Sequence, residues 1–495
     1  MKSSRRVRSR SRGIRQAVVG ATLGFGLLLA SCASESLEGV DLSPSSALST
    51  NPDGESNPAL LAETTTTSAP QAPTSNSVAE TDPPPNPLDL GQIATNGISY
   101  VSPSGNDNND GSVPSRAFRT LGNAISTLTP GDQLFILEGT YEETVRPDTA
   151  VVINARGEQD AWIRIGAFPG HDVVVVGTER NAFKFEAAQY VELADLELSG
   201  TGTDRLGAGI HVEGPSHHIR ILRNEVHGFP AGGINVTGSS HITIAQNEVY
   251  GNARFHPTQH SGISFWRTEN LGFEDDEFGY SNYVIGNRVY DNENTVPSDR
   301  GVITDGNCII LDQTNLTGYT GRLLVANNVC FDNGGRGVNV HESAHADVVN
   351  NTVFRNLRTD EVAEDSGELM AYDSSDVRFV NNLAITAPGR RAARNSRSDD
   401  VVFAQNLLVT DDPGIGDDTN TVIALDLLST VVAQATTDPE ENDLSLVLGS
   451  VAIDAGRGDF STTIPTDYLG NERLAGEAID IGAFEFQAPQ AASEE

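Results

Sequence analysis

Trp266, Asp312 and His341 each close a short run in which apolar and polar residues alternate: Gly262-Ile263-Ser264-Phe265, Cys308-Ile309-Ile310-Leu311 and Gly337-Val338-Asn339-Val340. An aromatic ring, a carboxylate and an imidazole at equivalent places could stack the flat face of a ligand and move a proton beside it. Arg267, Arg322 and Arg336 would supply cations to neutralise an anion, and Asp305 with Asp312 offers the hard oxygen donors that a calcium ion takes. This chemistry needs residues dozens of positions apart to lie side by side. The elements that could bring them together therefore come next.

The runs read as strands by their period of two, and they recur, with Gly209-Ile210-His211-Val212 and Gly233-Ile234-Asn235-Val236 upstream. Between them runs one repeated phrase: Arg223-Asn224-Glu225-Val226, Gln246-Asn247-Glu248-Val249, Gly286-Asn287-Arg288-Val289, Ala326-Asn327-Asn328-Val329, Asn350-Asn351-Thr352-Val353, Asn381-Asn382-Leu383-Ala384 and Gln405-Asn406-Leu407-Leu408. Asp195 in Ala194-Asp195-Leu196-Glu197 reads as an eighth member. The spacing gives a coil of about 23 residues interrupted by insertions, a solenoid period. Asparagine tolerates the left-handed geometry of a tight bend, and in a stack each amide can bond the next.

Stacked strands lie ~4.8 Å apart, so equal positions form columns on the outer face. Aligning the runs on their leading glycines places Glu213, Thr237, Trp266, Asp312, His341 and Ala371 in one column, with His211, Asn235, Ser264, Ile310, Asn339 and Leu369 beside it. The long insertions, Asn252 to Tyr280 on one coil and Asn292 to Asp305 with Gln313 to Thr320 on the next, flank this spot. Loops raised from a rigid scaffold are where binding concentrates. The expected site is the surface around Trp266, Arg267, Asp305, Asp312, Arg322, Arg336, His341 and Glu342, with Asn339 and Glu213 as further contacts. The run Glu274-Asp275-Asp276-Glu277 reads as a solvated acidic loop rather than a calcium site.

Composition sets the outer bounds. The 495 residues carry a formal charge of −36, and the first 31 hold seven basic residues and no acid, leaving −43 on the remainder. A surface of that sign repels nucleic acid and anionic lipid. Lys2 and the arginines up to Arg15 precede an apolar stretch, Ala17 to Ala30, which reads as an export signal over residues 1–31. The following Leu29-Ala30-Ser31-Cys32 resembles the bacterial lipoprotein signal, implying a lipid on Cys32 and an exported chain held at a membrane or cell surface. Residues 32–92, rich in Ser, Thr, Pro and Ala, read as a disordered tether. Cys308 and Cys330 could pair in an oxidising compartment, but the repeat does not put them at equal positions, so pairing is left open.

The repeat, with Tyr100-Val101-Ser102-Pro103-Ser104-Gly105-Asn106-Asp107 and Leu134-Phe135-Ile136-Leu137-Glu138-Gly139-Thr140-Tyr141 near its start and Asp480-Ile481-Gly482-Ala483-Phe484-Glu485 near its end, resembles the right-handed parallel β-helix proteins of the pectate lyase type. The resemblance covers roughly residues 98 to 485. It implies an all-β solenoid over 93–430, an amphipathic helix at about Phe118 to Leu128 plugging its N-terminal end, a closing segment over 431–485 and a disordered tail over 486–495. It also implies a monomer acting on polysaccharide, by β-elimination of a uronate-containing glycan. His341 would be the base beside Asp312, and Arg267, Arg322, Arg336 or a calcium on Asp305 and Asp312 would neutralise the uronate carboxylate. Trp266, Arg267, Glu342, Asn339 and Glu213 would contact sugar.

Two rival readings stay open: a non-catalytic carbohydrate-binding or adhesion surface, and a glycoside hydrolase using two carboxyls ~5 to 9.5 Å apart. Asp305 and Asp312 would span ~23 Å if extended, too far for one bond unless the chain folds back. Lys184, the one lysine beyond the signal, is expected outside the column, which disfavours a lysine base.

Overall fold

The computed structural model describes residues 96–177, 180–201, 207–415 and 419–488. The expected signal, Cys32, the tether up to residue 92 and the last residues of the tail lie outside the described residues. Among the described residues, no helix is long and apolar enough to cross a membrane.

Each coil lays down three strands. In one, Ile210–Glu213, His217–Leu222 and Glu225–His227 follow in order, and the next coil opens at Ile234–Thr237. Their inward side chains, Ile210, Val212, Ile219, Ile221 and Val226, are fully buried. Burial of such side chains contributes ~1.5–3 kcal/mol each, which drives the winding. Repetition yields parallel sheets of eleven, nine and eleven strands, called here the first (beginning at Ile98–Val101), second (Thr149–Ile153 to Ala393–Ser396) and third. The chain is a right-handed parallel β-helix with an N-terminal helix, as the sequence implied.

That helix is shorter than expected, Leu121–Ser126, because Phe118 pairs with Val101 as a strand residue. The Thr120 side chain caps it by accepting from Asn123 N, and the Glu143 carboxylate accepts from Leu121 N and Gly122 N. Leu121, Ala124 and Ile125 close the N-terminal end of the core.

The sharp bend between first and third sheets carries the asparagine ladder, in which each amide donates to the next: Asn224 to Asn247, then Asn287, Asn328, Asn351, Asn382, Asn406 and Asn420, at 2.9–3.1 Å. Two expectations need correction. Asn328 rather than Asn327 is the member, and Asp195 stands one place earlier, at φ 62°, paired with Arg223. A second ladder, Asn252, Asn292, Asn333 and Asn356, runs up the bend into the second sheet and ends on the buried Glu368 carboxylate. Cys308 and Cys330 form a disulfide across the core, from the start of a second-sheet strand to a third-sheet strand, with 5.7 Å between Cα atoms. They occupy different sheets, which is why the repeat does not align them.

Residues 431–485 form a hairpin, Val432–Gln434 with Asp443–Leu446, and a segment packed on the outside of the third sheet. Leu444, Leu446, Ala452, Ile481 and Phe484 cover Phe331, Phe354 and Leu383 there. The segment runs back along the solenoid's flank rather than only closing its end.

Candidate functional site

The outward column of the second sheet reads Glu186, Glu213, Thr237, Trp266, Asp312, His341, Tyr372 and Ser396. Ala371, expected in the column, and Leu369, expected in the line beside it, are instead fully buried in the core. The leading glycine misled the alignment: Val338 pairs with Leu369, so Glu368, not Gly367, stands opposite Gly337. A slip of one residue exchanges the two faces of a strand. Tyr372 and Met370 take the outward places.

Trp266, Asp312 and His341 thus lie on consecutive strands. The His341 Nδ1 and an Asp312 carboxylate oxygen are 2.8 Å apart. This contact directs the Nδ1 proton to Asp312 and leaves Nε2 as the free lone pair, with no partner among the described residues. Tyr372 stacks on the imidazole, centroids 5.1 Å apart and planes 8° from parallel, and holds the ring from the far side. Arg397 in turn donates to the Tyr372 hydroxyl at 2.7 Å. Burial alone would pull the His341 imidazole down; the hydrogen bond and charge of Asp312, with the charges of Glu342 and Asp305, hold it above its ordinary value. Burial pushes the Asp312 carboxyl up, against the pull of His341.

One strand earlier, Trp266 is 40% exposed, so its indole is open to a ligand. Gln313 Oε1 accepts from both the indole Nε1, at 3.3 Å, and Arg267 Nε, at 2.9 Å, while the guanidinium lies 4.6 Å from the indole centroid. The terminal nitrogens of Arg267 have no partner among the described residues. Arg267, Gln313, Glu342, Asp373 and Arg397 each follow a column residue with φ between 46° and 59°. A left-handed non-glycine residue costs ~1–2 kcal/mol, and the bend imposes that geometry along this line, as it does upstream at Ala187 with φ 50°.

Loops enter at both ends of these strands. From the third-sheet side come residues 251–262 and 291–308; toward the first sheet leave 267–281 and 313–322. His260 staples the first of them, its ring within 3.3 Å of Asn235 Nδ2 and 2.8 Å of Thr258 Oγ1. Burial pulls its imidazole down to about 3, so it is a neutral strut. Loop 267–281 is anchored by Tyr280, which donates to Asp347 at 2.7 Å, and by Phe273 packed on His217 and His218.

The remaining expected residues divide. Glu342 adjoins His341, and no described residue donates to its carboxylate. Asp305 accepts from Thr304 Oγ1 and Asn307 Nδ2, and its charge reaches both Asp312 and His341, so the chain does fold back. Among the described residues, no group of three or more His, Cys, Asp or Glu is arranged to hold a metal ion, so a calcium on Asp305 and Asp312 would draw its remaining oxygens from elsewhere. Arg336 supports a loop, donating to Thr304 O and Asn307 Oδ1. Asn339 is 2% exposed between Ile310 and Met370, so it is not placed to touch sugar.

Two residues lie elsewhere altogether. Arg322 precedes a first-sheet strand and pairs with Asp347 and Asp376, away from the column. Glu213 is in the column, but four strands before His341, where it binds Lys184 at 2.9 Å. Lys184 itself faces outward beside the column, in register with His211, and is tied to Glu186 as well. Sequence reasoning missed Tyr372, hidden by the register slip, and Gln313, whose only signal was its place after Asp312.

The fold and the column define the protein as a right-handed parallel β-helix with a polar, ring-bearing site on one outer face. The family model described as "Right handed beta helix region" matches residues 203–384. The uncharacterized protein YwoF of Bacillus subtilis is 29% identical over 140 residues, which span 26% of this chain and 28% of that protein. Among solved structures, the pectate lyase Pel9A is 19% identical with a TM-score of 0.47, covering 80% of this chain and 98% of that one. The GH136 lacto-N-biosidase from Eubacterium ramulus is 14% identical with a TM-score of 0.42, covering 66% of this chain and 68% of that one. The family-model match agrees with the fold, and nothing about the reaction is drawn from these likenesses.

Proposed function

We propose that this is an exported, monomeric enzyme, anchored through a lipid on Cys32, that cleaves a uronate-containing polysaccharide by β-elimination. The observation that carries the reading is the Asp312–His341 pair, 2.8 Å apart, with Nε2 free on an open face beside the exposed indole of Trp266. In the proposed step, Nε2 removes the proton on C5 of the uronate, alpha to its carboxylate. The electron pair forms the C4–C5 double bond as the C4–O4 bond breaks, and the departing oxygen takes a proton from the imidazolium or from water. The free terminal nitrogens of Arg267 neutralise the carboxylate, which stabilises the charge that develops on it.

A second reading, hydrolysis, draws on the Asp312 carboxyl held up by burial and the unpartnered carboxylate of Glu342. Incubating the protein with uronate-containing and neutral polysaccharides, with and without calcium, separates the two. Elimination gives both ultraviolet-absorbing unsaturated ends and reducing ends. Reducing ends alone would replace elimination by hydrolysis, and neither product across the panel would leave a binding protein.

A further inference from the structure

The line of side chains bordering the site changes character at the Trp266 strand. Before Trp266, the positions just after the column are Ala187, Gly214 and Gly238, which offer nothing to a ligand. From Trp266 onward they are Arg267, Gln313, Glu342, Asp373 and Arg397, one per strand, in the order set by backbone bonds such as Arg267 N to Asp312 O and Glu342 N to Tyr372 O. Strands are spaced ~4.8 Å apart, close to the repeat of one pyranose in an extended glycan. A polymer lying along the solenoid axis therefore meets about one rim residue per sugar.

The charges on that rim are not equivalent. Arg397 and Asp373 neutralise each other, 2.6 Å apart, and Gln313 is neutral. Two charges remain without an oppositely charged partner among the described residues: the Arg267 guanidinium, held by Gln313 and the Trp266 ring, and the Glu342 carboxylate. They lie on either side of Asp312, one strand away in each direction. Under the elimination reading, on which this inference rests, the reacting uronate sits at the Asp312 strand, its carboxylate toward Arg267 and its C5 proton toward His341. The next sugar then faces Glu342, where a second carboxylate would meet an unscreened like charge on a partly buried site.

We infer that the substrate is a heteropolymer in which the reacting uronate is followed by an uncharged sugar, and that Glu342 is the residue that excludes a run of uronates. Glu342 is thus a specificity-determining residue, distinct from the base.

The chain contains two tryptophans, Trp162 and Trp266, so a Trp162→Phe background makes Trp266 fluorescence a report on the site that does not depend on turnover. The test titrates hyaluronan and heparosan, in which uronate alternates with uncharged N-acetylhexosamine, against polygalacturonate and alginate, which are runs of uronate. Product formation is followed in parallel. The expected result is at least tenfold tighter binding of an alternating polymer, with Glu342→Gln improving polyuronate binding about tenfold and so narrowing the ratio between the two classes.

Equal binding of both classes, or a Glu342→Gln variant with an unchanged ratio, would overturn the inference. Unsaturated product formed without the preference would leave the elimination reading standing and remove this one. The preference without unsaturated product from any glycan would remove elimination and leave the charge rule. No fluorescence change with any of the four would overturn both.

Discussion

Two outer faces of this solenoid carry columns of rings built by the same repeat, and they have opposite fates. On the third sheet, Tyr250, Tyr290 and Phe331 stack face to face, 4.7–4.9 Å apart, and the C-terminal segment seals the patch they begin. On the second sheet, the column alternates ring, carboxylate, imidazole and ring, and Trp266 stays 40% exposed. Stacking spacing is set by the strands in both cases. What separates structure from chemistry is whether anything covers the column and whether a proton-carrying group interrupts it.

The comparison predicts that the covered face answers to stability and the open face to activity. Phe331, fully buried, should cost ~3–5 kcal/mol when replaced by alanine, read as a lowered midpoint in denaturant unfolding, with unchanged specific activity in the molecules that remain folded. A stability loss below about 1 kcal/mol would mean the third-sheet face is not a core.

The next effect is on pH. His341 must be neutral to act as a base, and it is held above its ordinary value, so kcat/KM should rise with pH through an apparent pKa above that of free imidazole. Asp312→Asn removes the charge that raises it and leaves burial, which acts downward; the rising limb should move to lower pH while kcat falls. A limb that stays in place would show that Asp312 does not act on the base. The sign for stability is the same: the raised His341 contributes stability below the unfolded imidazole pKa, lost as pH rises through its folded value.

The smallest effect is expected at Trp266, where replacement by alanine should weaken glycan binding by about 1 kcal/mol, roughly fivefold in Kd, with folding unchanged. Titration of the glycan checks it; wild-type affinity would remove the stacking contact.

Much of this division was legible in the sequence. Strand period, coil length and the asparagine phrase gave the solenoid, because a repeat multiplies a weak local signal. The same repeat places Trp266, Asp312 and His341 side by side. What failed did so for one reason: a period of two has no tolerance for a one-residue shift. At Asn327 and at Gly367, a second asparagine and a glycine beside the true position drew the alignment one step off, hiding Tyr372 and Asn328. Arg322 and Asn339 were misplaced differently, since proximity along the chain does not report which sheet a residue joins or what lies over it. The fate of residues 431–485 was illegible because apolar residues after a solenoid fit an end or a flank equally well.

The central claim is that a base on the open column performs the chemistry, and His341→Gln tests it most directly on the glycan that the wild-type protein turns over. The account predicts a fall of about 10²–10⁴-fold in the rate of product formation, with an unfolding midpoint near that of the wild type. A variant that folds and retains its activity would contradict it.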